Sequence, residues 1–206
     1  TGRKNIFQTL EFDTRLLGMI GAFVLVCIVF NVLTDGRFLT PRNIFNLTIQ
    51  TVSVAIMATG MVFVIVTRHI DLSVGAITVF SSVIMGQFAF RYGLPPSVAV
   101  VCGLIFGTLC GALNGFLVAR IKLPPFIVTL GTWQIILASN YLYSANETIR
   151  AQEIEAEAPL LQLMGTKFQI GGAVFTLGVI FMIVLMLVLA WVLRHTAWGR
   201  HVYAVG

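Results

Sequence analysis

Arg68-His69-Ile70-Asp71-Leu72-Ser73 sets a guanidinium, an imidazole, a carboxylate and a hydroxyl close together in a chain of which only 10% is charged. Two kinds of chemistry fit such a cluster. In one it is a polar hairpin at a membrane boundary, with Asp71 or Ser73 capping the next helix and Asp71 favoured by the positive end of that helix. In the other it is an interruption between helices that lines a permeation path, where freed backbone groups and polar side chains face water or solute. The two are compatible, and the residues alone leave both open. Catalysis has no comparable support, because the chain carries no HExxH, G-x-S-x-G or P-loop pattern and no pair of intramembrane carboxylates. No catalytic or metal-binding residue is assigned, and no cofactor is expected in this chain.

Further polar and small residues stand inside apolar runs. Asn114 is expected to make an interhelical hydrogen bond in preference to touching solute. Thr129, Gly131, Thr132 and Gln134 give their helix a polar stripe that either glues helices together or lines a path for a hydroxylated solute. Gly103, Gly107, Gly111 and Gly115 recur every four residues, so on a helix they line one face without side chains, an extended GxxxG packing surface. A leucine at 111 is therefore expected to wedge two helices apart and collapse folding or assembly. Cys27, Cys102 and Cys110 all lie in apolar runs and are odd in number, which fits small hydrophobes in helix interfaces better than a disulfide framework or a thiolate metal site.

Membrane-spanning helices must position these residues. The chain has 206 residues, 58% of them hydrophobic, and a mean hydropathy of +0.95, too little polar surface to coat a water-soluble globule of this size. Crossing about 30 Å of hydrocarbon takes about 20 helical residues, and six runs approach that length without an ionisable side chain: 16–33, 47–67, 73–90, 97–119, 126–143 and 172–193. Barrel strands are excluded by the length of the runs and their lack of strict alternation. Short connections force neighbouring helices into antiparallel hairpins, and the prolines of Tyr92-Gly-Leu-Pro-Pro96 and Leu123-Pro-Pro125 stop one helix and start the next. The expectation is an all-α polytopic transmembrane helix bundle forming a single domain over 1–206. Its acidic 144–171 loop is read as a solvated face that could hold an interfacial helix.

The second run has an apolar drive of roughly −3 to −6 kcal/mol, against about +5 to +7 kcal/mol for one arginine and one aspartate at membrane depth. Arg68 and Asp71 must then sit at the boundary or against a water-filled cavity. With the N-terminus inside, eight of the 13 lysines and arginines fall on the cytoplasmic side and five outside. That bias favours a cytoplasmic N-terminus and an outer acidic loop. The net charge of +5 is spread between apolar runs and not gathered with aromatics, so it reads as topology and lipid contact and not as nucleic-acid binding. By itself, Trp198-Gly-Arg-His-Val-Tyr203 is an ordinary set of interface anchors. The end at Gly206, just inside a polar segment, points to a longer polypeptide.

Four motifs, IDLSVGA (70–76), GALNGFLVA (111–119), LPPFIVTLGT (123–132) and TAWGRHVYAVG (196–206), together resemble the permease subunit of bacterial ABC importers for monosaccharides, the ribose, xylose and fructose branch. In that family Gly-Gly usually precedes the first motif; here Arg68-His69 stands in its place. The resemblance implies an inner-membrane protein that works as a pair of permeases with a cytoplasmic ATP-binding subunit and a periplasmic sugar-binding protein. ATP and Mg would then belong to the partner ATPase, and this chain would supply the path by alternating access. It further implies that 194–206 begins the segment coupled to the ATPase, with Gly199, Arg200 and Tyr203 at its start, and that about four more spans follow, for roughly ten in all. Asp71, Ser73, Asn114, Thr129 and Gln134 are the candidate pathway residues. A passive channel or secondary carrier for a small polar solute is the alternative, and a membrane scaffold a third reading.

Overall fold

The computed structural model describes residues 14–170 and 173–206; the polar N-terminal tail and Gly171-Gly172 lie outside the described residues. Two compact units are present, one holding residues 14–48 with Gln169–Val174, the other Ile49–Phe168 with Phe175–Gly206. The described elements are almost entirely helical: α1 (Thr14–Leu33), α2 (Pro41–Val66), α3 (Val74–Phe90), α4 (Pro96–Ala119), α5 (Pro125–Ser144), α6 (Ala151–Glu157), α7 (Leu177–His195) and α8 (Ala197–Val205). A 3-10 helix (Pro159–Gly165) and a two-stranded sheet of β1 (Lys167–Ile170) and β2 (Ala173–Thr176) stand between α6 and α7. The all-α polytopic architecture expected from the apolar runs is the one observed.

Four described helices, α1, α2, α4 and α7, are long and apolar enough to cross a membrane. α3 is apolar but has 17 residues. α5 has 20 residues and a more polar sequence. Its hydroxyls are largely satisfied within the helix, with Thr129, Thr132 and Ser139 each donating to the carbonyl four residues back. Groups bonded in this way enter a low-dielectric medium at little cost. Large side chains such as Met19, Leu104, Ile135 and Leu142 are exposed, the surface of a protein that lipid covers.

Some boundaries differ from the apolar runs. α2 starts at Pro41 and not at 47, because a proline at the first helical position fits and the helix continues beyond its uncharged stretch through Arg42. The last long helix starts at Leu177, and β2 takes the preceding residues; the run looked continuous because strand and helix are equally apolar. The acidic loop is folded as well. Within it, the Arg150 backbone N–H donates to the Glu153 carboxylate at the start of α6, Gln162 ties the 3-10 helix to Ala151, and Gly178 of α7 lies against the Met164 carbonyl.

In the second unit α3, α4 and α5 form the packed centre. Ala76, Phe80, Ile84 and Ile136 are buried, with Cys102, Phe106, Cys110 and Tyr143 packed around them. The Phe80 ring meets Phe106 of α4 at 4.8 Å and Tyr143 of α5 at 5.9 Å, both edge-on. The glycine stripe does two different things. A Cβ on Gly103 would stand 2.5 Å from Met85 Cγ and 3.0 Å from the Ser81 carbonyl, and one on Gly107 3.2 Å from Ser81 Oγ, so α4 approaches α3 closely there. Gly111 and Gly115 have nothing within 4 Å of that position. The wedge expected at 111 therefore belongs at 103.

The helix corners are built on left-handed residues. At the end of α2, Arg68 has φ 59°, its N–H donates to Ile65 O (2.9 Å) and the His69 N–H donates to Val64 O (3.1 Å), a Schellman turn. Gly93 and Lys122 take φ 63° and 65°, and in both cases Leu-Pro-Pro follows. Leu94 and Leu123 donate back to Phe88 and Leu117, so the two hairpins share one design. Ala145, after α5, has φ 50°, which glycine would adopt without its Cβ crowding the backbone.

Gly103→Ala is expected to lower stability by about 1–3 kcal/mol through overpacking, while Gly111→Ala stays near wild type; thermal unfolding of the detergent-purified protein compares them. In the same assay Ala145→Gly is expected to add about 1 kcal/mol, because it removes a left-handed alanine.

Candidate functional site

The polar cluster at 68–73 follows the Schellman turn of α2 and leads directly into α3. Asp71 Oδ1 accepts from the Ser73 backbone N–H at 2.7 Å and from Ser73 Oγ at 2.6 Å. This aspartate turn sets the entry to α3; Ser73 stands at the N-cap position, but its side chain makes no capping bond to the helix. Ser73 is fully buried, and its hydroxyl accepts from Asn114 Nδ2 at 2.8 Å. Two hairpin residues and one 41 positions further along thus form one chain of hydrogen bonds from the hairpin to α4. Asn114 is buried, as an interhelical bond requires, and its Oδ1 has no partner. Such an orphan acceptor costs about 1–3 kcal/mol.

Around this chain lies a cavity of about 620 Å³. The C-terminal ends of α2 and α4 and the N-terminal end of α5 converge on it, with Val64, Thr67, Asn114, Val118, Pro125 and Thr129 in its wall together with His69, Ile70 and Asp71 of the hairpin. Gly111 and Gly115 also line it, and their missing side chains are part of its volume. Lys122, at the left-handed corner after α4, contributes a cation, and Val205 of α8 completes the lining. Thr129 is buried, donates to Pro125 O at 2.9 Å and lies 3.4 Å from Ile70 O. Its hydroxyl satisfies its own helix more than a neighbour.

The structure therefore brings Asp71, Ser73, Asn114 and Thr129 together and leaves Gln134 apart, exposed and outside the cavity lining. His69 comes with the polar cluster, while Lys122 and the two distal glycines are additions that residue-by-residue reading did not place here. Lys122 carried a signal, since it is a charge two residues before a proline stop. His69 is held by Thr67, with Nδ1 to Oγ1 at 3.0 Å.

On the fourth motif, Gly199 is buried, and a Cβ there would run into the Leu193 carbonyl. Its N–H donates to Thr196 Oγ1 at 3.1 Å, capping α8. The tight turn from α7 into α8 thus needs a glycine. Arg200 and Tyr203 remain exposed, and Trp198 packs on Phe63 of α2 with ring centroids 5.1 Å apart.

Residues 43–206 match the family described as branched-chain amino acid transport system / permease component. The chain belongs to this permease family. Among curated relatives, the permease is 59% identical to the fructose import permease protein of Rhizobium meliloti over 89% of this chain and 51% of the relative. It is 36% identical to the ribose import permease protein of Bacillus subtilis over 97% of this chain and 60% of the relative. Against the xylose transport system permease protein of Escherichia coli K12 the identity is 41%, over 58% of this chain and 30% of the relative. The chain thus spans about half the length of the first of these relatives. No solved structure matches the permease.

Ser73→Ala is expected to destabilise the permease by about 1–3 kcal/mol, because it strands the buried Asn114 amide as well as removing a hydroxyl. Thermal unfolding in detergent, compared with Ser82→Ala on an exposed face, measures it.

Proposed function

We propose that this chain is part of the membrane-spanning subunit of an ATP-driven ABC importer that carries a monosaccharide into the cytoplasm by alternating access, and that the cavity around Asp71 and Asn114 belongs to its solute path. The reading makes the chain a transport component and not an enzyme, placed in a bacterial inner membrane with its N-terminus inside and the α6 segment outside. ATP and Mg would act on a cytoplasmic ATP-binding partner, a periplasmic binding protein would deliver the sugar, and a second permease copy would complete the pore. The observation that carries it is the high identity to a fructose import permease over most of the chain, which makes fructose the first sugar to test. The resemblance noted in the four motifs points the same way.

The cavity supports this reading physically. A neutral polyol needs both hydrogen-bond acceptors and donors, and the wall offers Asp71 and Lys122 among glycine, proline and valine. Helix ends and a broken segment meet there, the usual setting for polar solutes at membrane depth. α8 joins the site to the proposed coupling segment, since Val205 lines the cavity while Arg200 and Tyr203 stay exposed on the same helix.

The test is uptake of labelled fructose, ribose, xylose and leucine by liposomes carrying the full-length permease with its ATPase, with and without binding protein. Sugar uptake that needs both ATP and binding protein is expected. Uptake without either would replace the reading by a channel or carrier, and leucine uptake by an amino acid importer. In the same assay Gly111→Leu is expected to leave folded yield near wild type and to lower sugar uptake at least tenfold, because its side chain grows into the cavity and not into a neighbouring helix.

A further inference from the structure

The Asp71 carboxylate is anchored through one oxygen. Oδ1 takes both hydrogen bonds from Ser73; among the described residues Oδ2 has neither a hydrogen bond nor an ion pair, and Asp71 lines the cavity. The hydrogen atoms behind it follow an enforced order. A carboxylate only accepts, so the Ser73 hydroxyl must donate to Asp71 and offers its lone pair to Asn114. Asn114 must then turn its Nδ2 to Ser73 and leave Oδ1 on the far side, where it is buried without a partner. The position of the carboxylate is thus fixed from two helices, α3 and α4, at the cost of one orphaned carbonyl, a sacrifice typical of functional sites.

The other polar groups of the wall are more committed. Thr67 Oγ1 donates to Val64 O and meets His69 Nδ1, and Thr129 Oγ1 donates to Pro125 O. Asn114 Oδ1 also lacks a partner but is fully buried, so Asp71 Oδ2 is the carboxylate acceptor in the wall left for a ligand. We propose that Asp71 Oδ2 is the atom that receives a hydroxyl of the solute in this cavity, and that Ser73 and Asn114 are positioning residues that hold it. The inference rests on the transport reading above and adds to it the solute-facing atom and the relay that aims it.

The experiment uses the full-length permease with its ATPase and binding protein, and compares fructose with its monodeoxy analogues, each at saturating binding protein and sugar. The readouts are maximal uptake rate and ATP hydrolysis stimulated by the binding protein. Asp71→Asn is expected to lower fructose uptake about tenfold, the scale of one hydrogen bond to a charged group, while stimulated ATP hydrolysis persists. For one monodeoxy analogue, the one lacking the hydroxyl that Asp71 receives, the substitution should make less than a twofold difference.

Asn114→Ala should show the same dependence on that analogue in weaker form, and the double variant should be no slower than Asp71→Asn alone. Should Asp71→Asn fail to assemble, Asn114→Ala alone decides by the same pattern. An equal loss for fructose and every analogue, or no loss at all, overturns the assignment while leaving the transport reading intact. Wild-type protein that moves no sugar overturns the transport reading and this inference with it, a result visible before any substitution is made.

Discussion

A polar group that leaves water for the interior of a membrane protein must find a partner there, and the hydrogen-bond chain from Asp71 through Ser73 to Asn114 is where this permease meets that demand most directly. It ties a hairpin to the far half of α4, so the end of α3 cannot separate from α4 without exposing three polar side chains to hydrocarbon. It also sets where the cavity lies. With that corner fixed, the glycines of α4 that do not touch α3 are left facing open space.

α4 therefore has two functions along its length. Its first half is in close contact with α3 through Gly103 and Gly107, and its second half widens into the cavity at Gly111 and Gly115. The same residue type is used for opposite ends, contact in one turn and vacancy in the next. What distinguishes them is what stands opposite: Ser81, Met85 and Ile77 of α3 face Gly103 and Gly107, and nothing lies within 4 Å of a Cβ at Gly111 or Gly115. The polar relay spans the opening so created.

Much of this was legible in the residues. Run length and hydropathy located the helices, the two Leu-Pro-Pro corners marked their ends, Asp71 stood out as too costly to leave in lipid, and Ser73, Asn114 and Thr129 stood out as polar groups at a helix start or within apolar runs. Gln134 belonged to the same polar stripe as Thr129, yet it lies exposed outside the cavity, because side-chain polarity does not reveal which face of a helix is turned inward. The glycine stripe misled in its distal half, since a four-residue period describes a face and not what stands opposite it. Arg68 was legible only in outline: its left-handed backbone explains why glycine suits that position, while a side chain there depends on the turn formed by Ile65 and Val64. The start of α7 was hidden because β2 is as apolar as the helix it precedes.

The central helices pack against partners that are near neighbours in the chain, α3 on α4 and α5, through an aromatic group drawn from those three alone. Contacts of such short range close small loops and need no distant segment to arrive first. The hairpins can therefore assemble in the order in which the ribosome delivers them to the membrane, each proline corner setting an antiparallel pair before the next helix is made. The wall around Asp71 needs only the chain up to α5, apart from Val205 of α8.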